Sequence, residues 1–354
     1  MRPVAAALVL VLAGSPAEAP AQDEAQKDGQ DGAELLEIGI IDFYGRDRVA
    51  ADAARAALTF KVGDTLDLAM TEPPAAFRST AEALKRLPDV LHVGMSPVCC
   101  DAGRLIVYVG IEERGAPALH LRKAPEGEER LPDDVVRAGK AFMKALLDAV
   151  KRGDSAEDHT RGHTLSHDPA TRAIQEEFLR FAQRDLAVLR RVLRKGSDAG
   201  QRALAAQVLG YAPDKQAVVS DLVRAMHDPD DAVRNNAMRS LLVFAETAPG
   251  PGTVVPRVPA GPFIEFLHSP EWTDRNKASG ALLALTAARD PDVLAELRRS
   301  ALAPLLEMAA WQSAMHALPA YMILARIAGK TDETARQLWD QGNRRDVIDA
   351  LAAR

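Results

Sequence analysis

The sequence predicts a two-part chain: an α+β unit in the order strand, helix, helix, strand, strand, followed by an all-α solenoid of paired helices. Three observations carry this reading. Residues 227–242 and 268–283 repeat at an offset of 41, with His, Pro, Arg, Asn, Ala, Leu and Leu identical, and a period near 40 is that of paired-helix arrays. Branched apolar runs at 35–43, 90–98 and 104–111 bracket two stretches of helical spacing. Aromatic residues make up only 5% of a chain that is 47% apolar, a composition suited to Ala- and Leu-rich helices.

The 354 residues are enough for two or three packed units. The formal charge of −6 gives no reason to expect nucleic acid as a partner, since phosphate binding requires clustered positive charge. Residues 1–21 read as a secretory signal: Arg2, the apolar stretch from Val4 to Ala13, and small residues at Ala19-Pro20-Ala21. The apolar stretch is shorter than the roughly 20 residues that span a bilayer, and no later segment has the length and apolarity of a transmembrane helix. The expected location is therefore the periplasm or the exterior, the alternative being an uncleaved N-terminal extension. Residues 22–34, with Asp23, Glu24, Asp28, Asp31 and Glu34 against Lys27, read as a disordered acidic linker.

Within 35–115, the first strand is followed by a helix over 47–60, with Val49, Ala53, Ala56, Ala57 and Phe60 at helical spacing. A second helix spans 72–87, with Pro73 and Pro74 in its first turn and Phe77, Ala81, Leu84 and Leu87 on one side. Cys100-Asp101-Ala102-Gly103 joins the last two strands as a hairpin. Cys99 and Cys100 are the two cysteines of the chain. Neighbours on a strand point to opposite faces, so they are expected to remain unpaired thiols, one buried and one exposed.

Residues 116–132, with Pro117, Pro125, Gly127 and Pro132, read as a linker. Within 133–166, an amphipathic helix over 133–151 precedes a polar loop. Asp168 caps, and Pro169 opens, one long helix running to about Lys195. The paired helices occupy 167–354. In the repeat, Pro229 ends one helix and Asp228 or Asp230 caps the next, where Val233, Ala237 and Leu241 line one face. Ala237 and Ala278 are small where helices approach. Arg234 and Arg275 are expected to bond to acidic groups or turn carbonyls of the neighbouring repeat. An earlier copy matches Asp198, Arg202, Ala205 and Leu209 to Asp230, Arg234, Ala237 and Leu241. The Pro- and Gly-rich insertion 248–262 reads as a loop. Asp274, at the position of Val233, predicts looser packing in its repeat.

Two family resemblances follow from these residues. Asp230, Val233, Arg234, Ala237 and Leu241 resemble the opening of the second helix of a HEAT repeat. The HEAT resemblance implies an extended binding surface on the second helices, for which the exposed candidates are Asn235, Asn236, Arg239, Asn276 and Lys277. Residues 40–45, Phe60-Lys61-Val62-Gly63-Asp64, 84–90 and 106–113 together resemble a POTRA domain over about 80 residues. The POTRA resemblance implies pairing of an edge strand with extended polypeptide.

Catalytic signatures are sparse. His159, His163 and His167 are spaced by four, the separation that aligns imidazoles for a metal on a helix, but Gly153, Gly162 and Pro169 disfavour a helix there and point to solvated loop histidines. His167-Asp168 and His227-Asp228 are explained by helix capping. The chain has no His-Glu dipeptide, no G-x-S-x-G and no Gly-rich phosphate loop. The expectation is an exported, non-catalytic scaffold without a cofactor that binds a protein partner. The alternatives are an envelope chaperone or transport-associated factor acting by strand addition, and a metal-dependent enzyme using the three histidines.

Overall fold

A computed structural model describes residues 35–67, 74–117, 119–247 and 255–353. The signal segment, the acidic linker, the start of the second helix and residues 248–254 of the insertion lie outside them. The chain divides into two compact units between Arg114 and Gly115. The first contains a four-stranded sheet and the second is mostly helical. Among the described residues, no helix is long and apolar enough to cross a membrane.

The first unit runs β1 (Leu35–Tyr44), α1 (Ala51–Ala56), β2 (Thr65–Asp67), α2 (Ala75–Lys85), β3 (Val90–Asp101) and β4 (Arg104–Glu113). The sheet order is β2-β1-β4-β3, with β1 and β4 parallel and the other neighbours antiparallel. Strand β4 is buried from Leu105 to Ile111. Alternate residues Leu105, Val107, Val109 and Ile111 share a core with Ile38, Phe60, Phe77 and Leu84.

Two departures from the expected pattern have local causes. The first helix is six residues long because its predicted first turn is occupied elsewhere: the Glu113 carboxylate accepts from the amides of Asp47, Arg48 and Val49 at 3.0, 2.7 and 2.9 Å. Burial pushes the Glu113 carboxyl up, but these three amides outweigh it and hold it below the ordinary value. The extra strand β2 follows a turn at Lys61–Asp64, where Gly63 takes φ +94° and Asp64 accepts from the Lys61 amide at 2.9 Å. That turn is bonded to Ile38 on both sides, 2.8 Å from its amide and 2.9 Å from its carbonyl. It lays Leu66 opposite Leu36.

Cys99 and Cys100 form a disulfide, contrary to the expectation of separate thiols. The peptide between them is cis. The hairpin then turns through Ala102 and Gly103, both at positive φ, as a two-residue hairpin turn requires.

The second unit begins with an extended segment rather than a free linker. The Arg122 amide donates to the His227 carbonyl at 2.7 Å, Gly127 exchanges bonds with Lys195 and Ser197, and the Leu131 amide donates to Gln201. Helix α3 (Asp133–Lys151) has its expected bounds. The expected polar loop contains a short hairpin, β5 (Glu157–Asp158) against β6 (Leu165–Ser166). The expected long helix is two, α4 (Pro169–Arg184) and α5 (Leu186–Lys195). They part at Asp185 (φ −110°), a residue type that favours helix ends over helix interiors. Asp168 caps α4 as expected, accepting from the Thr171 amide at 2.7 Å.

The next helices alternate: α6 (Ala199–Leu209), α7 (Gln216–Ala225), α8 (Asp231–Ala245), α9 (Gly261–Phe266), α10 (Trp272–Leu285), α11 (Pro291–Ser300), α12 (Leu302–Ala309), α13 (Ala314–Ile327), α14 (Asp332–Asp340) and α15 (Arg344–Ala352). Helix α6 packs on α8, α8 on α10, and α10 on α13, while α5, α7, α9 and α12 flank them. Asp198 and Asp230 cap α6 and α8 through the amides three residues on, at 2.9 and 3.1 Å. Ala237 and Ala278 are fully buried at these contacts.

Buried arginines tie one helix pair to the next. Arg202 bonds back to the carbonyls of Gly196 and Ser197 and forward, through two nitrogens, to Asp228 at 2.8 and 3.0 Å. Arg234 repeats this, with the carbonyls of Asp228 and Pro229 behind it and Asp274 ahead at 3.1 Å. Arg275 bonds to the Ser269 carbonyl and to Glu307 at 2.9 Å. Asp274 therefore does not loosen its repeat. It is fully buried, accepts from Arg234 and Ser269, and acts as the acid of the ladder. At the next step the position 41 residues beyond Arg275 is His316, which packs edge-on against Trp272 with centroids 4.9 Å apart.

Removing one partner of a buried ion pair strands the other charge, whereas replacing both with packed apolar groups is close to neutral. Arg234→Met is therefore expected to cost about 3–5 kcal/mol of unfolding free energy, and Arg234→Met with Asp274→Leu to recover most of it, as measured by chemical denaturation.

Candidate functional site

The residues expected to form an exposed binding surface are mostly engaged within the chain. Asn236 donates to the Ala203 carbonyl of α6 at 3.0 Å. Asn235 is half-buried and donates to Asn236 at 3.2 Å. Asn276 is half-buried, and its carbonyl accepts from Ser279 at 3.0 Å. Arg239 is paired with Glu157, and Lys277 is only 5% exposed. In the repeat, Asp230 caps α8, Arg234 and Arg275 bridge to acids further along the chain, and Ala237, Leu241 and Ala278 are buried.

The hairpin brings a charged cluster together with α8 and α10. Glu157, on β5, accepts from Nη2 of Arg239 through both oxygens. His159 stands between two carboxylates, with Nδ1 2.8 Å from Glu246 and Nε2 3.3 Å from Glu157. Burial works against the His159 charge, but the two carboxylates overcome it and raise its pKa to about 9. Burial raises the proton affinity of Glu157, and Arg239 and His159 together reverse this and leave it lowered. On the other side of the hairpin, His163 packs against Tyr211 with ring centroids 5.7 Å apart. Burial, reinforced by Lys215, pushes His163 down to about 4. The chain turns between the two histidines at Gly162 (φ +69°), close to Thr247 and Lys215.

The three histidines are therefore not a set of solvated loop side chains. His159 is ion-paired, His163 is buried against Tyr211, and only His167 is exposed. Their spacing of four does not unite them, because the backbone there is a hairpin followed by a new helix. Among the described residues, no three His, Cys, Asp or Glu side chains group as metal ligands.

No family model matches the sequence, and no curated protein matches it.

The cluster supplies an imidazolium at neutral pH, two carboxylates and a guanidinium, and the buried Lys277 of α10 feels their charges. Burial first, and then Arg239, lower the Lys277 ammonium to about 7, against the opposing pull of Glu157 and Glu246. Glu157, Glu246 and Tyr211 carry no local motif and could not be singled out from sequence. Lys277 carries one signal, since it aligns in the repeat with Asn236, whose interhelical bond a lysine does not reproduce.

His159 is charged more readily in the fold than in an unfolded chain, where histidine titrates near 6.5. Its contribution to stability is complete below that value and is lost as pH rises through about 9. His159→Ala should cost about 1–2 kcal/mol at pH 6 and little at pH 9.5, as read from denaturation midpoints at the two pH values. An equal cost at both would contradict the ion-paired geometry.

Proposed function

We propose that this chain is an exported, non-catalytic scaffold whose second unit is a HEAT-type solenoid that docks a protein partner. The observation that carries the reading is the buried ladder of Arg202–Asp228, Arg234–Asp274 and Arg275–Glu307. Its arginines recur with the sequence repeat, and each joins its own turn to the helix pair that follows. Helix pairs fixed in this way form a stiff extended surface, and such surfaces suit protein partners. The N-terminal Arg2, the apolar run that follows it and Ala19-Pro20-Ala21 support export.

On this reading the docking face lies along α8 and α10 beyond the hairpin, where Asn235 and Asn276 occupy equivalent half-buried positions. Crosslinking of the full chain in cell envelopes should yield a discrete protein adduct. Asn235→Arg with Asn276→Arg should reduce that adduct at least about tenfold, as expected when charge is forced into an interface centre, while the far-ultraviolet circular dichroism is preserved. An adduct that forms equally with the double variant would contradict the assigned face.

A second reading is capture of extended polypeptide by strand addition in the first unit, as its resemblance to a POTRA domain implies. It is supported by the position of β3 at the end of the strand order, although Pro97 and the Cys99–Cys100 disulfide interrupt that strand. Binding of unstructured peptides that is insensitive to the Asn235 and Asn276 changes would favour it.

A further inference from the structure

The segment before α3, described from residue 119 to residue 131, lies along the second unit as an extended peptide lies on a receptor. Main-chain bonds hold it at successive helix pairs. The His120 amide donates to Glu265 of α9 at 3.3 Å. The Arg122 amide donates to the His227 carbonyl at 2.7 Å, in the turn before α8. In the turn before α6, the Gly127 amide donates to the Lys195 carbonyl and the Gly127 carbonyl accepts from the Ser197 amide, both at 2.9 Å. The Leu131 amide then donates to Gln201 of α6 at 2.8 Å. The segment therefore runs against the order of the helices, from α9 past α8 to α6. Its approach is closest at Gly127, where a Cβ would lie 2.5 Å from the Lys195 carbonyl oxygen.

The fit suits the main chain better than the side chains. Arg122 and Glu129 are half-buried, yet Nε of Arg122 and Oε2 of Glu129 are buried without a hydrogen-bond partner among the described residues. A buried polar atom left unpaired costs stability. Arg122 reaches Asp228 through one contact at 3.3 Å. That carboxylate is already held by Arg202 at 2.8 and 3.0 Å and by the Asp230 amide at 3.0 Å. Leu131 is buried at the end of the segment, whereas Leu121 is 43% exposed. A segment with little apolar burial and incompletely satisfied anchors belongs to the part of a structure that opens first.

We propose that the turns before α6 and α8 are a docking track for an extended segment of a partner protein, with a basic residue that meets Asp228, and that residues 119–131 are a strap that fills the track until the partner displaces it. The chemistry of the partner is read from the strap. Its main chain pairs with the carbonyls of Lys195 and His227 and with the Ser197 amide, as any extended chain can. Its basic side chain takes the place of Arg122 on Asp228. A plain connection to α3 requires no second guanidinium on an acid that Arg202 already satisfies. The track is formed by turns and does not involve Asn235 or Asn276, so this inference stands without the docking face assigned above.

The test uses the full chain and a fluorescein-labelled peptide of residues 116–132, followed by fluorescence anisotropy. Arg122→Ala with Gly127→Ala loosens the strap. The pair of changes removes the Asp228 contact and sets a Cβ against the Lys195 carbonyl, while Arg202 still holds Asp228. The double variant should bind the peptide at least about tenfold more tightly than the unaltered chain does, because its track is open for a larger fraction of the time. The same peptide carrying Arg122→Glu should bind the double variant at least about tenfold more weakly, since a carboxylate then meets Asp228. Arg122→Ala alone, with tighter binding again expected, serves if circular dichroism shows that the double variant does not fold. A peptide that binds neither chain, that binds both alike, or that tolerates the glutamate would overturn the proposal.

Discussion

The second unit depends on one constraint, the need to satisfy arginines that have been taken out of water between helix pairs. Arg202, Arg234 and Arg275 are buried where each second helix begins. A buried guanidinium is tolerated only if its donors find acceptors of the right geometry. Here the acceptors come from two places at once. The carbonyls of the preceding turn hold each arginine to its own pair, and an acid of the following pair holds it forward. The side chain thus measures the spacing between pairs, while Ala237 and Ala278 allow the helices to close to that spacing. Asp228 shows how much is placed on one residue. Its carboxylate receives Arg202, Arg122 and the Asp230 amide, and so joins the turn, the neighbouring pair and the extended segment that precedes α3.

The charged cluster beneath the hairpin follows different rules. His159, Arg239 and Glu246 are partly open to solvent, and the ion pairs of the cluster join a local insertion to the helices rather than one helix pair to the next. Glu157 pins Arg239, His159 bridges Glu157 to Glu246, and His163 anchors the other arm of the hairpin against Tyr211. The result is a rigid cover over part of α8 and α10. Arg239, which a bare helix array would present to a partner, is thereby turned to internal use.

Much of this was legible in the sequence, for reasons that can be stated residue by residue. The strands at 35–44 and 104–113 are dense in branched apolar residues, and α3 has one clear apolar stripe, so local pattern sufficed. The roles of Arg234 and Arg275 followed from their recurrence. What could not be read depended on contacts far apart in the chain. Glu113 shortens α1 from 64 to 66 residues away, and Glu157 reaches Arg239 across 82. Asp274 looked like a lapse in the repeat because its neighbours along the chain gave no sign that Arg234 would need it. Asp185 lies within an otherwise unbroken helical pattern, and one helix-ending residue type is too weak a local signal to mark the break between α4 and α5. The histidine spacing pointed to a common site for the opposite reason, since it presumed a regular backbone that Gly162 turns.

If the ladder couples the pairs, the second helices should open together. Native-state hydrogen exchange resolves this helix by helix. The slowest amides of α6, α8 and α10 should exchange with a common opening free energy, within about 1 kcal/mol of one another. Exchange from α6 at a much lower free energy than from α10, with each helix opening alone, would mean that the buried arginines do not join one pair to the next.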